Sequence, residues 1–371
     1  MKVRLSPLQI ALLLMLVPLV AGSYYYPHLI YRMGTRGWWL TIVGGDGATY
    51  GLVWLWLALI SGFSPGTFMG AMIGRWGRMA GTLFLVPLVG PLWLSAVIMV
   101  RELAVLTTES LLPHTAISAI FLVGLMTAWY IAYLGVKGVS RYVEVVTILI
   151  GLPLILGLYA IAFENSKFVY LAPWWWMPDH LDLMGVLELP LSFSGVLALP
   201  MLLPYVDVMR QLKSGVAWAF LVGTLALLVV VAGPLGTLGP ATAEITPLPA
   251  LTFFNAAATA ILFIQQLAYP MVAVWVVLFV GAAAFAFWGS ARAVSEIFGW
   301  SRTRGYILAI SMALAWMINQ ALPTVAQFRQ IIVVDGVLTT FGLIWMVLTS
   351  IPMYFLAKHR HDGRTPHASP S

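Results

Sequence analysis

Residues 190–200 read Pro190-Leu-Ser192-Phe193-Ser194-Gly195-Val-Leu-Ala-Leu-Pro200, and Pro204 follows closely. The stretch is apolar enough for a membrane interior, yet prolines bracket it and a Ser-x-Ser-Gly run interrupts it. Lipid offers a backbone no partner, so a helix there bonds every N–H and C=O internally unless the freed groups face protein, water or a ligand. A stretch of the same character lies near the N-terminus: Pro18-Leu-Val-Ala-Gly22-Ser23-Tyr24-Tyr25-Tyr26-Pro27. Both predict broken helices. Half-helix N-termini at such breaks suit a carboxylate, and freed carbonyls suit an ammonium or cation. An amino acid carries both groups.

The composition agrees with a membrane setting. Of 371 residues, 61% are hydrophobic and 9% charged, against about 45–50% and about 25% in soluble domains. The mean hydropathy is +0.95. These values exclude a soluble enzyme, a disordered chain and a disulfide scaffold. The net charge of +6 calls for no nucleic-acid partner. With no cysteine there is no disulfide, thiolate metal site or cysteine nucleophile.

A membrane helix needs about 20 apolar residues. Scanning gives candidate spans at roughly 8–32, 37–62, 80–108, 115–135, 142–163, 186–208, 215–236, 268–292, 305–325 and 333–357. The predicted fold is therefore all-α, an integral membrane protein of ten transmembrane helices. One transporter-type domain covers 1–357, with halves of about 1–165 and 185–357, and a polar, disordered tail covers 358–371. The broken helices are the first and the sixth, the same position in two five-span halves. An odd number of spans inverts one half relative to the other, as in 5+5 inverted-repeat transporters.

Basic residues set the orientation. With the N-terminus cytoplasmic, the inner segments hold Lys2, Arg4, Arg75, Arg78, Lys137, Arg141, Arg210, Lys213, Arg292, Arg302, Arg304, Lys358, Arg360 and Arg364. The outer ones hold only Arg32, Arg36, Lys167 and Arg329, so both termini are predicted to be cytoplasmic. The outer loop before span six carries Glu164, Trp174, Trp175, Trp176, Asp179 and Asp182, and its tryptophans read as an interfacial belt.

Ionisable groups inside a bilayer cost about 2.5–3.5 kcal/mol each even on lenient scales, so they face the bundle interior. Asp46, in Gly44-Gly45-Asp46-Gly47, is a candidate for a proton- or cation-linked role, or for a watery vestibule. Arg101 and Glu102 read as a charge pair or helix-to-helix tie. Arg141 with Glu144, and Asp207 with Arg210, are spaced as ion pairs on one helix face. Single, scattered histidines (His28, His114, His180) and the absence of any catalytic motif argue against an enzyme, a metal site or a cofactor.

Several short motifs resemble the B subunit of spore-germination nutrient receptors, a branch of the amino acid–polyamine–organocation superfamily. Leu5-Ser6-Pro7-Leu-Gln9 is similar to that family's opening Ser-x-x-Gln, and Gly22 to Pro27 to its first helix break. Gly135-Val-Lys137-Gly-Val-Ser-Arg141-Tyr-Val-Glu144 is similar to its motif after span four. Ala291-Arg292-Ala-Val-Ser-Glu-Ile-Phe298-Gly299 is similar to the motif closing span eight. The resemblance implies a LeuT-like fold in the spore inner membrane that binds a nutrient, usually an amino acid, and works with A-type and C-type subunits. It also implies a pocket drawn from Gly22, Ser23, Tyr24, Leu92, Trp93, Ser192, Phe193, Gly195, Ala284 and Trp288. The sequence departs from the family in Val20, in the three tyrosines Tyr24 to Tyr26, and in the bulk of Trp288, which points to a ligand larger than the smallest amino acids or to a filled pocket. The rival reading is a proton- or sodium-coupled amino acid permease.

Overall fold

The computed structural model describes residues 4–24, 26–32, 37–163, 166–171, 189–246, 248–256, 267–300, 305–321 and 325–362. Glu164, the tryptophans 174–176, Asp179, Asp182 and the tail beyond 362 lie outside them. The described residues are all-helical. In chain order the α-helices are α1 (Pro7–Tyr24), α2 (Tyr26–Arg32), α3 (Trp38–Leu59), α4 (Phe68–Ser110), α5 (Ile117–Tyr133), α6 (Gly135–Val145) and α7 (Leu152–Phe163). There follow α8 (Leu199–Leu202), α9 (Met209–Leu238), α10 (Pro240–Ile245), α11 (Pro249–Ala256), α12 (Ala268–Ile297), α13 (Gly305–Ala321) and α14 (Val325–Asp362). Among the described residues, 6 helices are long and apolar enough to cross a membrane. Shorter apolar stretches at Pro7–Val20, Ile117–Tyr133, Ser192–Tyr205 and Gly305–Ala321 fall on the remaining candidate spans.

The motifs of the sequence explain how these helices begin and end. Ser6 and Gln9 form a reciprocal capping box: Ser6 N donates to Gln9 Oε1 at 3.1 Å, and Gln9 N donates to Ser6 Oγ at 3.2 Å. Two otherwise orphaned amides are thereby satisfied, and Pro7 occupies the first helical position, where no amide is needed. Gly299 ends α12 at φ +70°. Its N–H donates to Glu296 O at 2.9 Å, and Trp300 N donates to Ser295 O at 2.8 Å, which is the Schellman arrangement that favours glycine. Pro153 cannot donate to Leu149, and the backbone opens into a π turn over Val146–Gly151.

The centre of the bundle is α12, whose most apolar window is 83% buried against 33% for α3. Its run Gly281-Ala-Ala-Ala284-Phe285-Ala-Phe287-Trp288-Gly289 keeps the backbone close to its neighbours. Small residues are what allow helices to approach where lipid supplies no hydrophobic drive. A methyl group at Gly281 would lie 3.1 Å from both Leu16 Cδ2 and Tyr142 Cε1, and one at Gly289 would lie 3.1 Å from Ala198 Cβ. α4 runs along α12, and its long helix is two helices joined at Gly77 (φ +79°, ψ 172°).

In both predicted stretches one helix ends and another element takes over, in different ways. Residues Leu189–Ala198 are wound as a 3-10 helix with non-helical torsions at Phe193 (φ −113°, ψ 27°), followed by the four-residue α8 and a second 3-10 turn, Leu203–Tyr205. Span six is thus interrupted where the prolines and serines place the interruption. In the first span, α1 ends at Tyr24 and α2 begins at Tyr26, inside the predicted stretch Pro18–Pro27, with Tyr25 outside the described residues. Pro27 is the second residue of α2, where its missing amide costs no helical bond. α14 continues past 357 to Asp362, over residues assigned from sequence to the tail.

Candidate functional site

The 3-10 segment Leu189–Ala198 meets α1, α3, α4, α12 and α14. Gly195 is its closest approach to the core: a methyl group there would lie 3.3 Å from Phe285 Cε1 and 3.6 Å from Val17 Cγ2. The first span, the sixth-span break and the eighth span therefore converge at one point. Phe193 turns the other way, onto α9, stacking on Phe220 at 4.1 Å between ring centroids. Gly223 and Pro18 border it: a methyl at Gly223 would lie 2.9 Å from Phe193 Cζ and 3.2 Å from Pro18 Cγ. Trp288, fully buried, stacks on Phe285 at 6.1 Å and meets Tyr205 edge-on at 6.0 Å.

Beside this point lies Asp46, 2% exposed. Thr224 Oγ1 of α9 donates to its Oδ2 at 2.8 Å, and Tyr26 Oη of α2 lies 3.5 Å from its Oδ1. Asp46 is thus buried and met by two hydroxyl donors. Ser192 faces the Tyr26 hydroxyl but forms no hydrogen bond of acceptable geometry within the described residues. The glycines around Asp46 have a packing reason: a methyl at Gly45 would fall 2.5 Å from Leu189 Cδ1, so α3 can lie against the start of the 3-10 segment only without a side chain there.

Of the residues expected to form the pocket, Ser192, Phe193, Gly195, Ala284 and Trp288 are buried on the segment and on α12, and Leu92 is buried on α4 near Gly289. Trp93 is not brought to them. Its indole donates to Ser311 O at 3.3 Å and lines a cavity of about 450 Å³ between α4, α12 and α13, with Phe298, Trp300 and Tyr306. Gly22, Ser23 and Tyr24 close the last turn of α1, and their side chains lie outside the description. The sequence singled out Tyr26 only as one of three tyrosines at the first break, and Thr224, Phe220 and Phe285 not at all. No polar spacing marks the aromatic pair, whereas a hydroxyl near a buried carboxylate is a signal that pairing spans one, two and seven would have raised.

The remaining charges make contacts between segments. Arg101, 3% exposed, donates from Nη1 to Asn319 Oδ1 at 2.5 Å, tying α4 to α13, with Glu102 within electrostatic reach. Glu144 accepts Gln9 Nε2 at 3.0 Å instead of pairing with the exposed Arg141, so the capping box and the span-five motif are joined. Asp207 pairs with Arg4 rather than Arg210. Val208, extended at φ −133° and ψ 142°, is the cap of α9, so Asp207 precedes the helix and shares no helical face with Arg210.

Helices packed about an interrupted sixth span, with small residues drawing α12 against the first, make a LeuT-like transporter-type fold. The solved structure of MhsT in complex with L-phenylalanine shares it, with a TM-score of 0.62 at 15% identity, covering 96% of this chain and 99% of that one. Residues 4–328 match the family described as spore germination protein. The chain belongs to that family. Among curated proteins none matches the sequence.

Proposed function

We propose that the chain is the nutrient-binding membrane subunit of a spore germinant receptor. It lies in the spore inner membrane with both termini cytoplasmic, within a single domain of two inverted halves, and signals to A-type and C-type partner subunits. The ligand is an amino acid held where the first span, the 3-10 segment and α12 converge. The observation that carries this reading is the segment itself: a buried, non-α stretch with non-helical torsions at Phe193 and with Gly195 against Val17 and Phe285. Such a stretch presents bare peptide groups to a zwitterion. Family membership supports the germination role, and the phenylalanine in MhsT supports the ligand class. The aromatic stacks around Gly195 favour a bulky apolar amino acid.

Ligand binding would stabilise one of two helix arrangements, by no more than its differential affinity for them. The test is a scintillation proximity assay of purified protein against labelled amino acids. Gly195→Trp and Gly22→Trp are each expected to abolish binding. Binding undiminished in Gly195→Trp would rule out this pocket. A second reading, an ion-coupled amino acid permease, is favoured by one observation, the buried Asp46 between spans one, two and seven. Accumulation of labelled amino acid in proteoliposomes under an imposed proton or sodium gradient would favour transport, and binding without accumulation favours sensing.

A further inference from the structure

A second buried acid lies on α14, which also packs on the 3-10 segment. Asp335 of α14 is fully buried, and its Oδ2 accepts a 2.6 Å hydrogen bond from Ser95 Oγ of α4. Its Oδ1 has no partner among the described residues. Thr339, four residues on and hence on the same helical face, is equally buried, and its Oγ1 also lacks a partner there.

Ser194 adds a third unpaired oxygen, at 1% exposure. Its direction follows from register. About three residues per 3-10 turn put Ser194 and Leu197 on one face, and Leu197 is the residue that meets α14 and α4. A methyl at Gly342 would lie 3.2 Å from Leu197 Cδ2 and 3.5 Å from Leu88 Cδ2. One or two turns away from that layer, on the same faces, stand Thr339 and Asp335 on α14, Ser95 on α4 and Ser194 on the segment. The serines at 192 and 194 thus turn towards different acids.

The charged groups nearby are engaged elsewhere. On α3, Asp46 accepts from Thr224. On α4, Arg101 donates to Asn319 and stands about 9 Å further along the helix than Ser95 at the α-helical rise. A carboxylate held by one hydroxyl, with three further oxygens unsatisfied, is costly in a bundle interior. Hard oxygen ligands with a single negative charge match a small monovalent cation: one positive charge neutralises the site, where a divalent ion would leave it charged.

We propose that Asp335, Ser95, Thr339 and Ser194 form a sodium-binding site. It is built from other side chains than the amino acid pocket, and it stands or falls independently of the germinant reading. The test uses the full-length protein in nanodiscs, with radioactive sodium in a scintillation proximity assay and choline or potassium chloride holding ionic strength constant. Wild type is expected to bind sodium saturably. Asp335→Asn should lose the binding. Thr339→Val, which keeps the side-chain shape should Asp335→Asn fail to fold, should raise half-saturation about fivefold, the value of one hydrogen-bond-like contact. No saturable binding in wild type, or binding undiminished in Thr339→Val and Asp335→Asn, overturns the site. Stabilisation that follows pH without distinguishing sodium from choline would show that Asp335 holds a proton instead, and would overturn it too.

Discussion

Replacing Asn319 by leucine would leave the Arg101 guanidinium without the acceptor now 2.5 Å from its Nη1. Both side chains are almost wholly buried, at 3% and 2% exposure, so water cannot take over the bond. A hydrogen bond to a charged group contributes about 1.5–3 kcal/mol, and a value near 2 shifts the folding equilibrium about thirtyfold. Arg101→Leu orphans a neutral amide and removes the charge beside Glu102, and should cost about 1–2 kcal/mol. The double variant removes donor and acceptor together and should recover most of the Asn319→Leu loss, because an apolar pair of similar volume replaces a buried polar one. Equilibrium unfolding in mixed detergent micelles, titrated with SDS and followed by tryptophan fluorescence, gives the four free energies of the cycle. Strictly additive losses, with the double variant as unstable as the two singles summed, would refute the claim that this bond ties α4 to α13.

Other expectations can be checked in the same assay. Ser6→Ala removes one arm of the capping box and should cost about 1 kcal/mol, and Gln9→Leu should cost more because the contact to Glu144 at 3.0 Å goes with it. Equal losses would mean that the Gln9–Glu144 bond contributes nothing. Gly299→Ala forces a side chain onto a left-handed backbone at φ +70° and should cost about 1–2 kcal/mol, with Gly299→Asn milder; a neutral alanine variant would contradict the Schellman ending of α12. Arg4→Gln breaks a pair whose side chains are 49% and 46% exposed, so its effect should stay below about 1 kcal/mol. A larger loss would mark that contact as an anchor for α1.

What the sequence could reveal followed from backbone chemistry. Prolines and small polar residues mark where a helix cannot stay regular, so the interruption near Gly195 was visible from Pro190, Ser192, Ser194 and Pro200. Pro27 served as well: it sits at the start of α2, and the boundary between α1 and α2 falls within the stretch from Gly22 to Pro27. Asp46 stood out as a lone charge amid apolar residues. Asp335 did not: it falls at the start of the apolar window 333–357 and so resembles a loop residue, whereas α14 begins ten positions earlier at Val325. Partner choice was the least legible feature. Asp207 takes Arg4 and Glu144 takes Gln9, residues far away in the chain that helical spacing alone cannot nominate. Trp93 shows the same limit, since one step along α4 separates Leu92, facing Gly289, from a side chain that faces α13.

The winding of residues 189–198 has a mechanical consequence. A 3-10 helix rises about 2.0 Å and turns about 120° per residue, and an α-helix about 1.5 Å and 100°. Phe193 divides the segment, and over the roughly five residues that follow it, rewinding to α would shorten the chain by about 2.5 Å and rotate one end against the other by about 100°. The segment is in that sense a screw, in which a small change of pitch becomes both a pull on the chain towards α9 and a re-aiming of Ser194.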